Sequence, residues 1–307
     1  MIKKRVNGVL LGQALSLLNT STGVFSELLL EQGIATPLFQ LVWNYFFISL
    51  IYLPLAIYMK LPFKPSHLKK YLVGVVFDTQ ANFLVVLAYQ LTSVVSVFTL
   101  MNSSVVFVFV LSSVFLKTRY SKYQFLGAGV CLSGVVSIVV SDLHKNNWEW
   151  GGGILGDVLV IAGAGLYSAS NVWVEYLMKE GHTPQNYLSV LGLAGTLITL
   201  VESLCLELSA ISQISNSGQI GCYVGFAVAL TSMYSISPYY FLKFGAIMYN
   251  LSLLTTMTYG LLVGILLFDQ RISWLYILGF CLVIVGIVVF NKPQKETEQH
   301  NPYLSLN

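Results

Sequence analysis

The stretch YLVGVVFDTQANFLVVLAYQLTSVVSVFTLMNSSVVFVFVLSSVFL, residues Tyr71 to Leu116, decides the fold. It is apolar enough to lie in a bilayer and long enough to cross it twice, since one crossing takes about 20 mostly apolar residues. Yet Asp78 sits inside the first crossing, and Asn82 follows at i+4 on the same helix face. A carboxylate at that depth costs about 2.5–3.5 kcal/mol to insert, so it belongs against protein or a wet cavity and not against lipid. The second crossing adds Ser96, Thr99 and Ser103 along one stripe, with Asn102 beside them. A polar-lined hairpin within an apolar chain is what a solute pathway requires.

The rest of the chain has the same character. Of its 307 residues, 56% are hydrophobic and only 9% charged, against about 25% charged in a soluble domain. The mean hydropathy is +0.74. Such a chain cannot cover a water-facing surface with charge, so the lipid bilayer is its expected solvent. Ten apolar spans can be counted: Val6–Leu30, Pro37–Tyr58, Tyr71–Tyr89, Thr92–Leu116, Tyr123–Ser141, Gly152–Met178, Tyr187–Leu206, Ile220–Leu242, Ala246–Phe268 and Ser273–Asn291. None alternates with the period of two that a membrane barrel needs. The expected class is therefore an all-α membrane protein with ten transmembrane helices. The first span, too long for a signal-peptide core, reads as a signal-anchor helix.

Loop charge sets the expected orientation. With the N-terminus in the cytosol, fourteen of the sixteen Lys and Arg fall in cytosolic segments, and only Lys145 and Arg271 lie opposite. Both termini are then cytosolic, and the 292–307 tail is a short polar, disordered segment.

Two halves repeat. Leu11-Gly12-Gln13 opens the first span and Leu155-Gly156-Asp157 the sixth; Glu27 and Gly33 match Glu175 and Gly181. Arg119-Tyr-Ser121 returns as Arg271-Ile-Ser273, and Gly127 and Gly134 return as Gly279 and Gly286, at an offset of 152 residues. Five helices per half is an odd number, so the halves, 1–142 and 143–291, enter the membrane in opposite senses. A five-plus-five inverted-topology repeat is the signature of an alternating-access carrier with its solute near the midplane.

The stretches DTQANFLVVLAYQLTS (Asp78–Ser93), FLKTRYSKYQFLGAGVCLSGVVSIVVSD (Phe115–Asp142), SASNVWVEYLMK (Ser168–Lys179) and LLFDQRISWLYILGFCLVIVGIVV (Leu266–Val289) resemble solute carrier family 35, subfamily F, in its F1/F2-like branch. The resemblance runs from the first helix to the tenth. It implies the drug/metabolite transporter fold and carriage of a small organic solute. Nucleotide-sugar carriers are wider relatives, and part of this branch looks like carriers of nucleobase-type compounds. Where the family tends to place a proline in the fourth helix, this chain reads Asn102-Ser-Ser-Val-Val-Phe107.

The candidate substrate pathway consists of Gln13, Thr20, Asp78, Asn82, Thr99, Asn102, Ser103, Asn171, Tyr234, Ser235, Thr255 and Tyr259. Any one hydroxyl in that set can equally be glue between helices, worth about 0.6 kcal/mol. Glu27, Glu175 and Lys243 are candidate gate or coupling residues; an interfacial charge, or a lysine snorkelling to the surface, is the plainer reading of each. Asp157 sits where a carboxylate meets a helix N-terminus. The Gly127/Gly134 and Gly279/Gly286 faces permit close helix packing and suggest a seam, including one between two copies in a homodimer.

Other classes find little. No loop carries a basic stripe with interleaved aromatics, so no nucleic acid is expected. The cysteines Cys131, Cys205, Cys222 and Cys281 lack metal spacing and read as small buried hydrophobes. His67, His144, His182 and His300 fall in loops or the tail, so no metal, no cofactor and no catalytic residue is expected. Without a phosphate-binding loop the chain cannot pump by nucleotide hydrolysis. The remaining readings are a secondary or facilitative carrier, a Golgi nucleotide-sugar antiporter, and a non-transporting receptor or scaffold, in an endomembrane or the plasma membrane.

Overall fold

The computed structural model describes residues 2–61, 65–116, 121–145, 152–268 and 273–290. Among these the chain is helical and contains no strand. The helices are α1 (Ile2–Glu31), α2 (Pro37–Tyr58), α3 (Pro65–Ala88), α4 (Val94–Leu100), α5 (Ser104–Phe115), α6 (Lys122–Lys145), α7 (Gly152–Lys179), α8 (Pro184–Leu206), the single turn α9 (Leu208–Ile211), α10 (Ser217–Leu253), α11 (Thr255–Leu266) and α12 (Trp274–Phe290). Six helical stretches are long and apolar enough to cross a membrane: Pro37–Tyr58, Ser66–Ala88, Val95–Phe115, Gly153–Lys179, Pro184–Leu206 and Ser217–Asn250. The chain is a multi-pass membrane protein. Arg119, Arg271, residues 146–149 of the expected Asp142–Glu149 loop and the 292–307 tail lie outside the described residues; residues 142–145 belong to α6 and not to a loop.

The fourth and the ninth spans are each broken within their length. The fourth crossing is broken by a 3-10 turn at Met101–Ser103 between α4 and α5, so the helix changes phase there without a proline. The eighth and ninth spans part at Gly245, where φ 82° and ψ 164° are not helical, at the boundary expected between Leu242 and Ala246; the ninth is broken once more by a turn at Leu254, before α11.

The most extensive packing pairs α2 with α8, α6 with α12, α1 with α10 and α3 with α7. At the α6–α12 crossing the glycines face one another. A Cβ on Gly134 would lie 2.6 Å from the carbonyl oxygen of Gly279, and a Cβ on Gly279 would lie 2.7 Å from that of Gly134. Gly286 meets the backbone of Cys131 and Gly127. The small-residue faces that sequence offered as a homodimer seam are thus filled within one chain.

Local chemistry repeats as well. Gly33 and Gly181 both adopt left-handed φ, 76° and 86°, which costs glycine little. In each case the next residue, Ile34 or His182, donates its N–H five residues back, to Leu29 or Leu177. Each turn then runs into a Thr-Pro pair, Thr36-Pro37 or Thr183-Pro184, with proline in the first helical turn, where its missing N–H is harmless. The free N–H groups at the start of α2 are satisfied from α8's end: Glu207 accepts from Leu38 N and Phe39 N, both at 2.8 Å. Burial pushes the Glu207 carboxyl above its ordinary range, against the pull of those donors and of Ser203.

Two of the four cysteines were expected in the wrong place. Cys131 and Cys222 are buried, but Cys205 and Cys281 are exposed on the outer face of the bundle, because they lie on helix sides turned away from any neighbour.

Candidate solute site

Asp78 lies midway along α3, which packs against α7 and α2 and is reached by Tyr234 of α10. It is 5% exposed. Its Oδ2 accepts from the Tyr234 hydroxyl at 2.6 Å, the Tyr45 hydroxyl at 2.7 Å and Asn82 Nδ2 at 3.3 Å. Asn82 binds the network from the next turn: Nδ2 lies 2.7 Å from the Tyr234 oxygen and 2.9 Å from that of Tyr45. The Tyr167 hydroxyl donates to Asn82 Oδ1. The phenols come from α2, α7 and α10, so Asp78 and Asn82 of α3 together tie four helices. Hydrogen bonds to a charged acceptor are worth about 1.5–3 kcal/mol each, and a buried phenol needs such a partner.

Beside this network lies a cavity with Asp78 and Tyr234 in its wall. Its polar lining is Asp78, Asn19, Asn102, Asn171, Asn250, Ser104, Ser170, Ser237 and Thr256; Phe98, Phe241, Tyr167, Tyr187, Tyr234 and Tyr249 supply aromatic walls. Among the described residues no Lys, Arg or His lines it. The arrangement can bind a small organic solute through one carboxylate, several carboxamides and ring faces. No group of three His, Cys, Asp or Glu among the described residues could hold a metal ion.

The family model for solute carrier family 35, subfamily F, matches residues 1–292. The chain belongs to solute carrier family 35, subfamily F. A family 35 member from Schizosaccharomyces pombe is 33% identical over 291 residues, 92% of this chain but 57% of the relative, so this chain spans little more than half of that protein's length. Solute carrier family 35 member F2 of Mus musculus is 33% identical over 291 residues, covering 92% of this chain and 77% of the relative. The member F2 of Xenopus tropicalis is also 33% identical, over 296 residues and 75% of its length. A crystal structure superposes with a TM-score of 0.66 over 94% of this chain and 98% of its own, at 14% identity, which speaks to the fold alone. Membership in the family supports a solute transporter.

In this family 35 chain the expected pathway residues divide. Asp78, Asn102, Asn171 and Tyr234 line the cavity, and Asn82 adjoins it through Asp78 and Tyr234. The others are spent elsewhere. Gln13 and Tyr259 bond to each other, Tyr259 donating to Gln13 Oε1 at 2.9 Å. Thr20 returns its hydroxyl to Ser16 O, and Ser235 to Thr231 O. Thr99 bonds to Val95 O and the Tyr276 hydroxyl, while Ser103 is buried with its hydroxyl unpartnered among the described residues. Thr255 bonds to Ser16 Oγ; its neighbour Thr256 takes the cavity position.

The charged candidates lie beyond the cavity. Glu175 is buried between Lys179 and the backbone of Ala246. Glu27 has a buried Oε2 with no partner among the described residues. Lys243 is exposed, with its ammonium 5.7 Å from the Phe244 ring centre. Asp157 accepts from the Thr92 hydroxyl at 2.9 Å.

Tyr45, Tyr167, Tyr187, Ser170, Asn19 and Asn250 escaped the sequence reading. Of these, Tyr167 stands one turn before Asn171 on α7 and could have been found by helical spacing, whereas Tyr45 on α2 and Tyr187 on α8 had no candidate on their helices to mark a face.

Proposed function

We propose that this protein is a secondary-active or facilitative carrier of a small organic solute, nucleobase-, nucleoside- or nucleotide-sugar-like, working by alternating access. The observation that carries the reading is the Asp78 cavity, whose polar groups come from α3 in the first half of the chain and from α7 and α10 in the second. The ten-span, inverted five-plus-five organisation is part of the proposal. Its support is the packing: advancing each span by five converts the α1–α10 contact into α7–α3, and leaves the α2–α8, α6–α12 and α4–α11 contacts unchanged. That is the pattern a two-fold axis in the membrane plane produces.

Within the solute class, the cavity favours compounds without phosphate. A nucleotide sugar brings a diphosphate, for which Arg or Lys forks are the usual partners, and Lys243 lies outside the lining. The Golgi antiporter is accordingly the weaker reading. A scaffold has no use for a polar cavity, and a receptor that only binds its solute there would show no uptake in the test below. Transporters of this family are generally not enzymes, and a catalytic role is not part of the proposal. The test is uptake by purified protein in liposomes, offered labelled nucleobases, nucleosides and nucleotide sugars. Saturable uptake of one class above empty liposomes is expected; folded protein that takes up none of them sinks the reading.

A further inference from the structure

The offset of 152 residues that relates Gly127 to Gly279 also pairs Ser93 with Gly245 and Val94 with Ala246. These residues begin equivalent helices, and the two starts are capped in different ways. Ser93 caps its own helix, its Oγ accepting from Ser96 N at 3.0 Å. Gly245 has no side chain to offer. The Ala246 N–H instead donates to Glu175 Oε2 on α7, at 2.7 Å in a buried contact. Gly245 occupies a region of φ and ψ reserved for glycine, and a Cβ there would stand 3.3 Å from Glu175 Oε1. The Lys179 ammonium closes on that same oxygen at 2.6 Å, but its side chain is 47% exposed, and such pairs hold weakly. The sequence counterpart of Glu175 is Glu27, whose Oε2 makes no such bond among the described residues. The arrangement is therefore one-sided: a single carboxylate joins two separate helices at the Lys179 end of the bundle. It sits just past the cavity wall, next to Val174 and one turn from Tyr249 and Asn250.

We propose that Glu175 is the latch of the gate at the Lys179 end, holding the Gly245 break against α7 until its carboxylate lets go of the Ala246 N–H. This rests on the alternating-access reading above. A reporter thiol in the cavity tests it: Ser237→Cys, in full-length protein whose four native cysteines are replaced by serine. The measurement is the rate of labelling by a membrane-impermeant thiosulfonate applied from the Lys179 side of oriented vesicles. Glu175→Ala is expected to raise that rate about tenfold, as losing a hydrogen bond to a charged group shifts the closed population, and to lower labelling from the opposite side. Lys179→Ala should leave both rates near the parent's. An unchanged rate in folded Glu175→Ala overturns the proposal. If that variant is not recovered folded, Glu175→Asp, which keeps the charge but draws it back by one methylene, decides the matter by the same rise or its absence. The labelling needs no solute, so a latch that responds in a protein that transports nothing would sink the carrier reading alone.

Discussion

Tyr234 on α10 donates its hydroxyl to Asp78 Oδ2 on α3 at 2.6 Å, across 156 residues of chain. The bond joins α3 to α10 at the wall of the cavity, and any movement of one helix against the other must lengthen or carry it. A structural tie and a working part of the pathway make different demands on the carboxylate.

Substitution of Asp78 separates them. Asp78→Leu leaves the Tyr45 and Tyr234 hydroxyls without their acceptor, while Asn82 Nδ2 keeps the two phenol oxygens; at roughly 1–3 kcal/mol per unsatisfied buried group this should cost about 2–6 kcal/mol in a melting experiment. Asp78→Asn keeps an acceptor oxygen and should melt close to the parent. If the carboxylate carries solute or coupling, the Asn variant nevertheless loses accumulation. A folded Asn variant that transports at the parental rate would remove Asp78 from the mechanism.

Phe98 of α4 is wedged between two glycines on other helices. A Cβ on Gly260 would lie 2.1 Å from Phe98 Cδ2, and one on Gly23 would lie 2.5 Å from Phe98 Cζ. Gly260→Ala should therefore cost about 1–3 kcal/mol through overpacking. Adding Phe98→Leu should recover at least half of that loss, and a double-mutant cycle in detergent reads the coupling. Independent, additive effects would mean that the ring moves aside freely.

The helical, membrane-spanning character of the chain and the position of Asp78 were legible because each is a local signal. An ionised residue in an apolar run stands out, and Asn82 and Tyr234 followed from helical spacing. What could not be read was phase. The 3-10 turn at Met101–Ser103 turns Thr99 toward Tyr276 on α12 while Asn102 and Ser104 reach the cavity. The breaks at Gly245 and Leu254 likewise give the cavity position to Thr256 and not Thr255. Tyr45 and Tyr167 stayed hidden because an aromatic in a membrane span reads as packing, and only the crossings of α2 and α7 over α3 bring their hydroxyls to the network.

Topology is the next prediction. Fourteen of the sixteen Lys and Arg sit on one side when the N-terminus is cytosolic, so a tag there should be fully protected from protease in sealed, right-side-out vesicles. The Asp142–Glu149 loop should be cleavable in the same vesicles once a protease site is introduced. Digestion of the N-terminal tag would reverse the orientation.

The last prediction concerns the turn between α7 and α8, where His182 is packed by Tyr71, His67, Glu180 and, one contact further, Lys70 and Tyr176. Its Nδ1 lies 2.9 Å from the Tyr71 hydroxyl and its Nε2 3.6 Å from Glu180 Oε2; the His67 ring centre is 4.3 Å away. Lys70 and the Tyr176 hydroxyl both bond to Glu180. Burial lowers the pKa of His182; His67 and Lys70 lower it further, and the Glu180 carboxylate opposes them only in part. The folded protein thus binds this proton more weakly than the unfolded chain, whose histidine titrates near 6.5. Stability from His182 is complete above about pH 6.5 and is lost as pH falls toward the lower folded value, by at most about 1.4 kcal/mol per unit separating the two. His182→Gln can still bond to Tyr71 but cannot take up the proton. The melting temperature of the parent relative to this variant should hold steady between about pH 7 and 8 and decline below about pH 6.5. Parallel curves down to about pH 5 would show that the histidine is no more costly to charge in the fold than out of it.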